Sequence, residues 1–176
     1  MLRKLVASFS IKVWVFGLWI VFILHDLEEV FTMARFTQDH IQQLPGVIRI
    51  IETRLMVSTS EMALAVGLLI LLMFWAAVNT VRFPQSRSWE TVWGLVVGIL
   101  LANGLTHGIQ AIALGMYTPG CITGVVLELP AALLCLIWLK HEGSESNARL
   151  VLYVFLGFPL QLFFTVLSLS LAKVVI

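Results

Sequence analysis

Residues 11–34 read IKVWVFGLWIVFILHDLEEVFTMA. The first fourteen of them carry one charge, Lys12, and the next five hold His25, Asp26, Glu28 and Glu29. At about 1.5 Å of rise per residue, a helix of this length covers the roughly 30 Å hydrocarbon core of a bilayer. Arg3, Lys4 and Lys12 give the run a basic entry, as a secretory leader would have. No small-x-small cleavage site follows, however, and no leader needs His25, Glu28 or Glu29. The stretch therefore reads as a retained membrane span that ends in an acid-and-histidine cluster.

The rest of the chain agrees. Of its 176 residues, 60% are hydrophobic and only 12% charged, with a mean hydropathy of +0.98. That is about half the charge of an ordinary soluble domain, so lipid must be part of the solvent. The expectation is an all-α polytopic membrane helix bundle, one domain over 1–176, of about five transmembrane helices. Spans fall at about 11–34, 56–81, 89–116, 120–139 and 148–174. The net charge of +1 points to no nucleic-acid partner. Cys121 and Cys135 do not make a disulfide framework.

The connections differ in kind. FPQSRS (83–88) is a short polar turn, Tyr117-Thr118-Pro119-Gly120 is a tight one, and 140–147 is charged and Ser-rich. The segment at about 37–55 is different. Ile41, Leu44, Ile48, Ile51 and Leu55 recur at three- and four-residue steps, with Gln42, Arg49 and Glu52 between them. This predicts an interfacial amphipathic helix, broken at Pro45-Gly46, acting as a lid or lateral gate over the site. With the N-terminus cytoplasmic, the inner side holds Arg3, Lys4, Lys12, Arg82, Arg87, Lys140 and Arg149. The outer side holds Arg35, Arg49, Arg54 and Lys173, so the basic asymmetry favours N-in and C-out.

Charged groups within the membrane cost about 2.5–3.5 kcal/mol each on insertion scales, so each one needs a reason. His25 lies one helical turn from both Glu28 and Glu29. Asn103, His107 and Gln110 form one polar stripe on the third span, and Gly120, Gly124 and Glu128 align on the fourth. Counted from the outer end of each span, Glu29 and Glu61 fall roughly 7 Å deep, Glu28 and Glu128 roughly 9–12 Å, and the two histidines roughly 14 Å. Six groups on four helices thus occupy one slab. Two imidazoles and four carboxylates suit one or two divalent ions such as Zn, Fe or Mn. Two ions would cancel the four glutamates, whereas one ion would need a proton or Arg54 as well. Asn103 and Gln110 are natural partners for the second nitrogen of His107. Glu29 and Glu61, nearest the outer water, are the candidates for general base. Plainer readings stand beside these: Gln161 for helix packing, Glu61 as an ordinary wet residue at the interface, and Asp26 pointing partly away from the His25 face.

His25-Asp26-Leu27-Glu28-Glu29 resembles the signature of the HXXEE family of small bacterial membrane proteins. Asn103 with His107 on a later helix, and the turn Thr118-Pro119-Gly120-Cys121-Ile122-Thr123, extend the likeness over the first four spans. The resemblance implies a metal-binding active site and a bacterial inner-membrane location, and it supplies no reaction.

Three functions compete. A metal-dependent enzyme, hydrolase or di-metal oxidase in type, would act on an amphiphilic small-molecule or lipid substrate entering from the membrane. A metal-free glutamate protease, resembling the CAAX-processing family, would use Glu28, Glu29, Asn103 and His107, although Arg35 stands too late for that family's arginine. A proton-coupled carrier or a protein binding cationic amphiphiles would use the same buried groups. No polar residue continues inward past the histidines, which argues against a through-path.

Overall fold

The computed structural model describes residues 9–44, 46, 49, 58–142 and 145–176, which form five helices and, among the described residues, no strand. They are α1 (Ile11–His40), α2 (Thr59–Arg82), α3 (Arg87–Leu114), α4 and α5 (Asn147–Val175). Helix α4 joins Cys121–Thr123, a π-helical stretch Gly124–Glu128, and Leu129–Glu142. Four of the five, α2 to α5, are long and apolar enough to cross a membrane. Helix α1 is long enough too. Every eighteen-residue stretch of it, though, carries at least three of Lys12, Asp26, Glu28, Glu29, Arg35 and Asp39. The polar groups midway along it turn inward, with His25 and Asp26 buried among the other helices, while Lys12, Arg35 and Asp39 toward its ends are exposed. Apolar side chains such as Phe31, Leu71, Ile112, Phe155 and Leu162 face outward instead, the arrangement a lipid solvent requires.

Helix α1 runs to His40, beyond the expected boundary at Ala34. No glycine or proline lies between Ala34 and Pro45. Arg35 also bridges to Asp39 one turn on, at 3.6 Å. About half of the expected amphipathic segment, residues 45, 47–48 and 50–55, lies outside the described residues, and its role as a lid lies there with it.

Local chemistry places the helix ends. Ser58 and Glu61 close a capping box on α2, with Ser58 N–H donating to Glu61 Oε2 at 2.7 Å. Gly115 (φ 63°) ends α3, and Gly120 (φ 77°) opens α4. The π-helical stretch in α4 has a cause next door. Pro130 has no N–H to offer the carbonyl of Val126, and the helix widens so that Leu129 N–H reaches Gly124 O instead.

Helices α3 and α5 meet backbone to backbone. A Cβ on Gly98 would stand 2.1 Å from Tyr153 O, and one on Gly157 would stand 2.2 Å from Gly98 O. Gly94-x-x-x-Gly98 is thus the close-approach face of α3. Gly98→Ala must push the helices apart, an overpacking cost of about 3 kcal/mol or more, which lowers the melting temperature by about 10 °C. Thermal unfolding of detergent-purified protein measures it, and a melting temperature within 2–3 °C of the parent, at roughly 3 °C per kcal/mol, would refute the contact. At the same end of the bundle as Ser10, buried Glu145 accepts from Tyr153 OH at 2.8 Å and pairs with Arg149 at 3.3 Å and Arg87 at 3.9 Å. Arg149 also donates to Thr91 at 3.1 Å, so the α4–α5 connection is fastened to α3.

Candidate metal centre

The polar faces of α1, α3 and α4 converge toward the opposite end, under the 115–120 turn. His25 and Glu128 are completely buried, and His107 nearly so. The imidazole centroids of His25 and His107 lie 4.8 Å apart, edge to face. One ligating atom each from His25, Glu29 and His107 falls within 4.8 Å of the others. His107 Nε2 stands 3.2 Å from Glu29 Oε1, and His25 Nε2 stands 3.8 Å from Glu128 Oε2.

The spacing of the first-helix motif has a purpose that runs through a residue on α4. Glu28 does not point at the histidines. Its carboxylate accepts from Tyr117 OH at 2.8 Å, from the Ile122 and Thr123 N–H groups at 3.4 and 2.8 Å, and from Thr123 Oγ1 at 2.6 Å. Burial pushes the Tyr117 phenol up to about 12, so it stays a donor in this set. The Thr123 hydroxyl, having given its proton to Glu28, accepts from His25 Nδ1 at 3.1 Å. This fixes the His25 tautomer, with hydrogen on Nδ1 and a lone pair on Nε2. A carboxylate orienting an imidazole in this way is what metal-binding histidines commonly have, here with a threonine interposed.

Asn103 supplies the other side. Its amide donates to His25 Nε2 at 2.7 Å and to Glu128 Oε2 at 3.0 Å, and its carbonyl accepts from Gln161 at 2.6 Å. Gln161 therefore sets the orientation of Asn103 as well as packing α5 on α3. Of the six buried side-chain heteroatoms without a hydrogen-bond partner among the described residues, three belong here: His107 Nδ1, Glu128 Oε1 and Asp26 Oδ2. Such groups are costly in a low-dielectric interior, and three within one region mark it for a ligand.

Two expected members stand elsewhere. Glu61 is held by Ser58 in the cap of α2, and Gln110 is exposed with no bond to His107. The Ser58-Thr59-Ser60-Glu61 spacing is itself a capping-box signal and could have placed Glu61 from sequence. Thr123 and Tyr117, on the other hand, were not singled out. Only their place beside the Pro-Gly turn hinted at them.

On its other flank the cluster borders an apolar cavity of about 360 Å³ between α1, α2, α3 and α5. It extends from Met62 to Ala76 along α2, about 20 Å of helix. Leu72 and Trp75 in its wall are also exposed on the outer surface of the bundle. Its polar end is formed by Asp26, Glu29, Asn103 and Gln161.

The molecule is thus a multi-pass membrane helix bundle built around a buried histidine–glutamate cluster. Over residues 16–135 the chain matches the family described as protein of unknown function with HXXEE motif, and it belongs to that family. No curated protein and no solved structure matches it.

Proposed function

We propose that the protein is a metal-dependent membrane enzyme acting on an amphiphilic or lipid-like substrate. The observation that carries this is the position of Glu29, which belongs both to the ligand cluster and to the wall of the apolar cavity. His25, His107 and Glu29 form the two-imidazole, one-carboxylate set of many catalytic zinc sites, and Glu128 stands ready as a further ligand. Glu29 and Glu128 together balance one divalent ion, so one Zn, Fe or Mn per chain fits the charges better than two. Such an ion would polarise a substrate oxygen or lower the pKa of a water toward about 7.

The residues of this chain do the rest. Glu28 and Thr123 hold His25 in one tautomer. Asn103, held by Gln161, braces Glu128 and would release His25 Nε2, which it now bonds, to the ion. Of the two candidate bases, Glu29 alone borders the cavity; to take a proton from a substrate or water there it would leave its place on the ion to Glu128, beside His25. The cavity would hold the apolar part of the substrate, loaded sideways past Leu72 and Trp75. A metal-free glutamate protease has less support, because all four bonds to Glu28 run to Tyr117, Ile122 and Thr123, where it orients His25, and Glu28 does not line the cavity. Elemental analysis of detergent-purified protein tests the proposal. About one ion per chain is the expected result, and protein that carries none and takes up none on titration refutes it.

We further propose a bacterial inner membrane with the N-terminus cytoplasmic. Support comes from the family resemblance and from the basic groups Arg87, Lys140 and Arg149, which gather around Glu145 at the N-terminal end. A C-terminal alkaline phosphatase fusion should then be active in bacteria. An inactive one, with a working cytoplasmic reporter at the same point, would reverse the orientation.

A further inference from the structure

Asp26 takes no part in the cluster as a ligand, yet it is 4% exposed and its Oδ2 has no partner. It sits one turn before Glu29 on the same face of α1, in the wall of the same cavity. Among the described residues, no lysine or arginine lines that cavity. With Glu29 and Glu128 assigned to the metal, Asp26 is the surplus carboxyl of the region. An unpaired carboxyl inside a membrane protein needs a proton or a cation to satisfy it.

We infer that the cavity takes a single-chain amphiphile with a primary amine head, its nitrogen bonded to Asp26. An amine and a carboxyl make an N–H···O pair whichever of them holds the proton, and the ionised pair is the stronger. Gln161 and Asn103 flank the position with amide groups. An anionic head, a carboxylate or a phosphate, would instead meet the surplus Asp26, with the ion's charge already matched by Glu29 and Glu128 and no lysine or arginine among the described residues of the wall. The chain would lie along α2 between Met62 and Ala76, with each buried methylene adding about 0.8 kcal/mol on transfer scales. The inference rests on reading the cavity as the substrate site, and it names the head group that reading leaves open.

The test uses the full-length protein in lipid nanodiscs, titrated with dodecylamine, dodecanol and dodecanoic acid, with protein-free discs as the baseline. Dodecylamine should bind at least tenfold more tightly than dodecanol, and dodecanoic acid more weakly than either. Asp26→Asn should abolish the amine preference, leave dodecanol affinity within about twofold, and keep the metal content of the parent. Equal affinity for the three heads, or tightest binding of the acid, overturns the inference on the parent protein alone, so it does not depend on the variant folding. An unchanged amine preference in Asp26→Asn overturns it as well. Metal-loaded protein without a head-group preference refutes this inference and spares the proposed function. An Asp26-dependent amine preference in protein that never binds metal does the reverse.

Discussion

Replacing His25 or His107 with alanine is expected to reduce bound metal from about one ion per chain to below a tenth of that, with zinc affinity falling by more than about 100-fold. Each imidazole is one of three converging ligands, and losing a ligand costs more than losing an outer partner, which itself costs 10–100-fold. Thr123→Val should show that smaller loss. It removes the hydroxyl that links His25 Nδ1 to Glu28 while leaving the ligand in place. Circular dichroism should show the helices intact in all three variants, because lipid burial holds the spans. Metal content unchanged in both histidine variants would sink the centre. Equal losses for His25→Ala and Thr123→Val would show instead that Thr123 does more than orient the ring.

The second large effect belongs to a residue with no side chain. A Cβ on Gly120 would stand 2.8 Å from Cε1 of both His25 and His107, so Gly120→Ala drives a methyl group between the two rings. It also places an alanine at φ 77°, at about 1–2 kcal/mol. Gly115 supplies the control. Its φ is 63°, but a Cβ there meets nothing within 4 Å. Both alanines incur the backbone strain, and only Gly120→Ala disturbs the ligands. Metal binding should collapse in Gly120→Ala to the level of His25→Ala and persist in Gly115→Ala, as measured by elemental analysis of both. Similar metal content in the two would mean that the turn does not shape the site.

The spans were legible because a bilayer demands length and apolarity together, and four of the five helices satisfy both plainly. Their ends fall within three residues of expectation except at Ala34, where the polar but unbroken run 35–40 continues the helix. The convergence of His25, Glu29, His107 and Glu128 was legible from shared face and shared depth. Those two coordinates do not tell which way a stripe points when the helix nears its end, and so Gln110 was misassigned to His107. Nor do they distinguish a carboxylate aimed inward from one folded back on its own helix end, as Glu61 is in the cap of α2. Glu28 shows a third limit. Its i, i+3 spacing from His25 was visible, but the hydroxyl between them comes from a residue 95 positions further along. Pairings of that kind become visible only once the helices are packed.

The wide turn in α4 has a consequence for inheritance. A pattern repeating every four residues drifts by about 40° per step around a regular α-helix. Gly120, Gly124, Glu128 and Ala132 nevertheless all remain buried, with the π-helical stretch between the second and third of them. Val125, Val126 and Leu127 within it face outward. Any apolar residues of similar size would serve at those three positions, so their identities are free to drift. Their number is tied to Pro130. Deleting one would close the stretch into a regular helix, with Leu129 N–H now four residues from Gly124 O and Glu128 on nearly the same face, but would set the Pro130 ring against the carbonyl one turn before it, at about 3 kcal/mol. Relatives that keep this centre should therefore vary in letters along the stretch and drop a residue from it only where the proline is gone as well.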